Sequence, residues 1–109
     1  MERTQYCLVL VTCPDQDTAE RIASRLVSAR LAACVNILSG MKSIYHWQGE
    51  VEEDQEVLLL VKTKAELVDP ALISLVSKLH PYQVPEVLAL PVIAGSADYL
   101  VWMEKETIS

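Results

Sequence analysis

Two long extended segments, Ala33 to about Gln48 and Val51 to Thr63, constrain this chain more than any other feature of its sequence. They meet at Gln48-Gly49-Glu50, where glycine permits a tight turn, so the pair reads as a β-hairpin. A strand of about 15 residues at roughly 3.3 Å per residue spans about 50 Å, whereas a compact chain of this length has a diameter of roughly 35 Å. The hairpin should overhang its own domain. Ile44, Tyr45 and Trp47 lie near its tip, large apolar groups that a soluble monomer does not hold out in water. Exposed strand edges also invite pairing. A homo-oligomer built on this hairpin follows, unless Ser39-Gly40 breaks the first segment into two short pieces.

The flanking segments place the hairpin in a fold. Tyr6 to Thr12 reads as a buried strand running into a turn at Cys13-Pro14-Asp15. Asp17 with Glu20 three residues on forms a capping box, and Ala19, Ile22, Ala23, Leu26 and Val27 recur at helical spacing. After the hairpin, Asp69-Pro70 supplies an N-cap and a first-turn proline. Leu72, Leu75, Val76 and Leu79 then form a second helical stripe that stops at Pro81. The strand Glu86 to Ile93 contains Pro91, which cannot donate to a ladder, so it should lie at an edge or break there. A short helix from about Ser96 to Glu106 closes the chain. The order is β-α-β-β-α-β plus a C-terminal helix. It predicts an α+β, ferredoxin-like fold with two helices on one face of an antiparallel sheet.

Composition narrows the function classes. A single domain is expected over 1–109, with 51% hydrophobic residues and only three glycines to support one core. No apolar run reaches the length of a membrane span, and the start Met1-Glu2-Arg3-Thr4-Gln5 lacks a signal peptide's apolar stretch, so a cytoplasmic location is expected. Fifteen acids against nine scattered bases give a net charge of −6, which makes nucleic acid and anionic membrane poor partners. Three cysteines without paired spacing fit buried thiols in a reducing compartment.

Candidate chemistry is sparse. Cys7 and Cys13 share a face but lie about 20 Å apart on a straight strand, too far to share a metal, and Cys34 reads as a small core residue. His80 opens His80-Pro81-Tyr82-Gln83-Val84-Pro85-Glu86, a segment stiffened by two prolines that fixes an imidazole, a phenol and a carboxylate together. Imidazole with carboxylate suits Cu²⁺, Zn²⁺ or Ni²⁺, although a histidine at a helix C-terminus also simply favours the dipole. His46 reads as a surface or interface residue. Glu50, Glu52, Asp54 and Glu56 share one period-two register, read as a solvated face or as loose attraction for divalent cations. No nucleophile triad or phosphate-cradling glycine loop can be assembled, so catalysis is not expected; Glu86 as a base would need its acidity altered by burial.

The sequence resembles the CutA divalent-cation-tolerance proteins along nearly its whole length. The matching stretches include Thr12-Cys13-Pro14-Asp15, Leu31-Ala32-Ala33-Cys34-Val35-Asn36, Ser43-Ile44-Tyr45-His46-Trp47-Gln48-Gly49, Lys62-Thr63-Lys64, the His80 to Glu86 segment and Asp98-Tyr99-Leu100-Val101-Trp102. The resemblance implies a ferredoxin-like homotrimer with hairpins pairing across subunits, and a role in tolerance of divalent metals, copper above all, without established catalysis. Of the ligand set that copper-binding members carry, it leaves His80 as metal ligand, with Val11 and Leu79 at the other two positions. It further implies a cleft between subunits gathered from Tyr45, Trp47, Tyr82, Glu86, Tyr99 and Trp102.

Two functional readings result. One is a trimeric cation-tolerance protein that binds Cu²⁺ or a similar ion weakly through His80. The other is a trimeric signalling or scaffold module whose inter-subunit clefts bind a small molecule or a partner protein.

Overall fold

The computed structural model describes residues 5–108. β1 (Tyr6–Cys13) runs through the middle of a four-stranded antiparallel sheet of order β2-β3-β1-β4, with β2 at Cys34–Trp47, β3 at Glu50–Lys64 and β4 at Val87–Pro91. Three helices accompany it: α1 (Gln16–Ser28), α2 (Ile73–Leu79) and α3 (Ala97–Glu106). This is the predicted ferredoxin-like topology, with Pro91 in an edge strand as expected.

Alternation sorts the sheet into two faces. Val9, Val11, Leu59 and Val61 point to the helices and are fully buried with Ile22 and Leu26 of α1, Val76 of α2 and Leu72 just before it. The opposite face carries Leu10, Leu38, Leu58, Leu60 and Leu88, aligned across neighbouring strands; Leu38 and Leu88 are 56% and 58% exposed. Apolar residues on both faces explain why β1 reads as an uninterrupted apolar run.

The hairpin is as long as expected. Gln48 and Gly49, both with positive φ (51° and 83°), form its two-residue turn. β1 pairs with β3 only over Val57–Lys64, so Glu50 to Glu56 pair with β2 alone and project from the body. The radius of gyration, 14.5 Å, exceeds the roughly 13 Å of a compact chain of this size, as a projecting hairpin requires.

Both helix starts differ from the sequence reading. The N-cap of α1 is Asp15, not Asp17: its extended backbone lets Oδ1 accept from the Thr18 amide at 2.8 Å, directly after β1 turns at Pro14. Glu20, freed from a capping role, accepts instead from the Gln16 side-chain amide at 3.0 Å. Asp69 precedes a cis peptide bond to Pro70 and is extended (φ −125°, ψ 119°), so it breaks the helical path where an N-cap was expected. The chain passes through short turns at Ala65–Leu67 and Val68–Leu72 before α2 begins.

α3 is fastened to the far end of β3. Lys64, only 2% exposed, donates to Glu104 at 3.1 Å, and the Tyr6 hydroxyl donates to the same carboxylate at 3.2 Å. Ser96 caps this helix by accepting from the Tyr99 amide at 3.3 Å.

Candidate functional site

Where the hairpin leaves the body, the loop after α2 folds over the leucine-bearing face of the sheet and encloses a groove of ≈ 720 Å³. Thr12 of β1, Ser43, Tyr45 and Trp47 of β2, Glu56 of β3, and Tyr82, Gln83, Val84 and Glu86 of the loop all line it.

A β-bulge aims the aromatic side chains. Leu38 pairs with Leu58 and Met41 with Glu56, so Ser39 and Gly40 together oppose the single residue Val57; Gly40 takes φ +83°. The bulge shifts the alternation of β2 by one residue. Beyond it, Ser43, Tyr45 and Trp47 share a face with Asp54, Glu52 and Glu50, while Ile44 and His46 pair with Glu53 and Val51 on the other face. Ser39-Gly40 therefore does not break the strand. It re-registers it.

Phenol–carboxylate pairs bind the groove's walls. The Tyr82 hydroxyl donates to Glu56 Oε2 at 2.9 Å, and the Tyr45 hydroxyl donates to Asp54. The hydrogen bond to Asp54, with some burial and nearby acidic charge, pushes Tyr45 up to about 12. Burial first, then the bond to Glu56, pushes Tyr82 up as well. Both phenols stay protonated through the physiological range. Glu56, 7% exposed, departs from the solvated face expected of the acidic run, whereas Glu50, Glu52, Glu53 and Asp54 are exposed.

His80 sits behind this loop, 7% exposed, at the end of α2. Its Nε2 lies 2.6 Å from the Thr12 carbonyl, which can only accept, and its Nδ1 accepts from the Tyr82 amide at 3.1 Å. Those partners assign the Nε2–H tautomer and engage both ring nitrogens. The ring also packs against Tyr82, centroid to centroid 4.8 Å. His80 thus ties β1 to the loop and presents no free lone pair to the groove. Cys13 is buried, and burial with the charges of Asp15 and Glu56 pushes its thiol up to about 11, away from the thiolate that binds metal. Among the described residues, no group of three or more His, Cys, Asp or Glu side chains is arranged to hold a metal ion.

Of the residues that the resemblance assigns to a cleft between subunits, Tyr45, Trp47, Tyr82 and Glu86 line this groove of a single chain. Tyr99 and Trp102 instead stack on each other along α3, 5.4 Å apart, and do not line the groove of their own chain. Glu86 is exposed, so the burial a general base would need is not there. Thr12 and Glu56 were missed as site residues; only the passage of β3 from an acidic run into an apolar one marks Glu56 in the sequence.

Comparison with known proteins decides the family. The sequence profile of the CutA1 divalent ion tolerance proteins matches residues 7–106. The chain belongs to the CutA1 family. The divalent-cation tolerance protein CutA of Thermus thermophilus is 54% identical over 100 residues, covering 92% of this chain and 96% of that protein. Human Protein CutA is 50% identical over 99 residues, 91% of this chain but 55% of its own length, so the chain spans about half of that relative. Among solved structures, the Cut A1 protein of Thermus thermophilus superposes with a TM-score of 0.91 at 53% identity, covering 94% of this chain and 98% of that one. CutA1 of a psychrotrophic Shewanella species superposes with a TM-score of 0.94 at 41% identity, covering 99% and 100%. The names of these CutA1 relatives support a family-level role in divalent-cation tolerance.

Proposed function

We propose that this chain serves divalent-cation tolerance as a cytoplasmic homotrimer whose grooves bind a small ligand, and that it is a binding protein and not an enzyme. The observation that carries this reading is the contrast between the open groove of ≈ 720 Å³ and the neighbouring His80, whose ring nitrogens are both engaged. A copper ion on His80 would have to displace the Tyr82 amide or the Thr12 carbonyl, and either exchange loosens the loop over the groove.

The uncovered leucine face supports the trimer. Burying a fully exposed leucine contributes about 1.5–3 kcal/mol, of which these partly covered side chains each retain a fraction, and a second and third copy are the natural cover for a face that the chain's own helices leave open. The projecting hairpin would then reach a neighbour, and Tyr99 and Trp102 of one copy could complete the groove of the next.

Direct, weak binding of a divalent cation is the second reading, favoured by the carboxylates of Asp54 and Glu56 on the groove's side of β3. Calorimetric titration of Cu²⁺ into the native protein and into His80→Ala, together with native mass spectrometry of the purified assembly, separates the readings. A retained small molecule with a Cu²⁺ isotherm indifferent to His80→Ala supports the ligand groove. An empty assembly that binds Cu²⁺ supports direct cation binding instead, on the carboxylates if His80→Ala leaves the isotherm in place and on the imidazole if that variant loses it.

A further inference from the structure

We propose that the groove selects organic cations, a protonated amine or a quaternary ammonium group seated among Tyr45, Trp47 and Tyr82 and facing Glu56 and Glu86. This rests on the reading of the groove as a ligand site and names the chemical class that enters it.

Charge carries the argument. The groove's lining holds two carboxylates, three aromatic side chains and neither lysine nor arginine. An anion entering it would meet like charge with no cation in this chain's lining to offset it, and an apolar guest would leave the remaining acceptor positions of the largely buried Glu56 unpaired. A bare metal ion asks for several converging ligands, and no cluster of three such residues exists among those described. A cation satisfied by ring faces and one or two carboxylates meets every constraint, since aromatic quadrupoles attract a diffuse positive charge that water solvates weakly.

The hydrogen-bond inventory points the same way. The phenol protons of Tyr45 and Tyr82 are already donated to Asp54 and Glu56, so what the phenol oxygens still offer a guest is lone pairs. Glu56 keeps acceptor capacity after receiving one hydroxyl, because an ionised carboxylate has about four acceptor positions. Glu56 is also built into place and does not dangle from the surface: it is 7% exposed and held on its Oε2 by Tyr82.

The test is calorimetry on the native protein with three probes: choline, its uncharged carbon isostere, and citrate. Choline should bind saturably and at least about tenfold more tightly than the isostere, with citrate silent. Glu56→Gln and the exposed Glu86→Gln should each weaken choline and leave the isostere unchanged; the second variant lies outside the Tyr82 contact, so lost packing cannot mimic the effect. Equal binding of choline and isostere, or preference for citrate, overturns the cation assignment while leaving the groove as a ligand site. Silence from all three probes, with nothing retained in native mass spectrometry, overturns both.

Discussion

The Tyr82 hydroxyl reaches Glu56 across 2.9 Å, while two residues earlier in the same loop His80 holds the Thr12 carbonyl at 2.6 Å. One short segment is thereby pinned to two adjacent strands, and the groove beneath it has fixed walls. In such a frame the histidine acts as a fastener. The residues that face the opening are aromatic and acidic.

The phenols report directly on this frame. A tyrosine whose folded value is raised adds stability below its unfolded value near 10, and that stability is lost as pH rises through the folded value. Spectrophotometric titration should therefore show phenolate from Tyr45 only near pH 12, with Tyr82 later still. Asp54→Asn removes the carboxylate and should return Tyr45 toward 10; an unchanged curve would mean that the Tyr45–Asp54 bond does not form in solution.

Gly40 sets the face of the hairpin. At φ +83° a side chain adds backbone strain, with nothing within 4 Å to clash, so Gly40→Val should destabilise the fold by roughly 1–2 kcal/mol in denaturant unfolding. A hairpin that escapes the strain by losing its bulge would pair residue 40 with Glu56 and turn Ile44 and His46 to the acidic face. The raised titration of Tyr45 would vanish with it.

The docking of α3 should weaken in acid. The Lys64 hydrogen bond and charge, with the Tyr6 hydroxyl, hold the Glu104 carboxyl below its ordinary 4.5, although partial burial opposes them. A lowered folded value adds stability above the unfolded value that is lost as pH falls through the folded one. The difference in urea midpoint between native protein and Glu104→Gln should be constant above about pH 5 and shrink progressively as pH falls below 4.5 through the lowered folded value. A difference independent of pH would assign the effect to packing.

The leucine face predicts assembly. Leu38→Glu and Leu88→Glu replace half-exposed side chains, so the isolated chain should tolerate them, yet light scattering at micromolar concentration should show smaller species than for the native protein. By contrast Leu59→Ala, inside the core, should cost about 2–5 kcal/mol. A native protein already monomeric would remove the trimer from the account.

Most of the fold was legible because hydrophobic period and turn chemistry agree: the Gln48-Gly49 turn, the length of the hairpin and Pro91 at an edge all follow from local rules. The site was less so. Asp15 and Asp17 are equally good caps by residue type, and only the turn at Pro14 selects between them. Glu56 looks like its acidic neighbours until Tyr82 arrives from 26 positions away to bury it. The role of His80 was invisible for the same reason: a carbonyl on β1 and an amide in its own loop engage its nitrogens, and neither partner leaves a trace in residue type.

The central claim is that His80 fastens the groove and does not carry the ion. A long-range proton–nitrogen correlation spectrum of the imidazoles, recorded before and after Zn²⁺ as a diamagnetic stand-in for copper, tests it most directly. The account predicts an Nε2–H tautomer for His80 that Zn²⁺ leaves in place, with exposed His46 as the internal comparison. A stoichiometric shift of the His80 Nδ1 or Nε2 resonance on adding Zn²⁺ would contradict it.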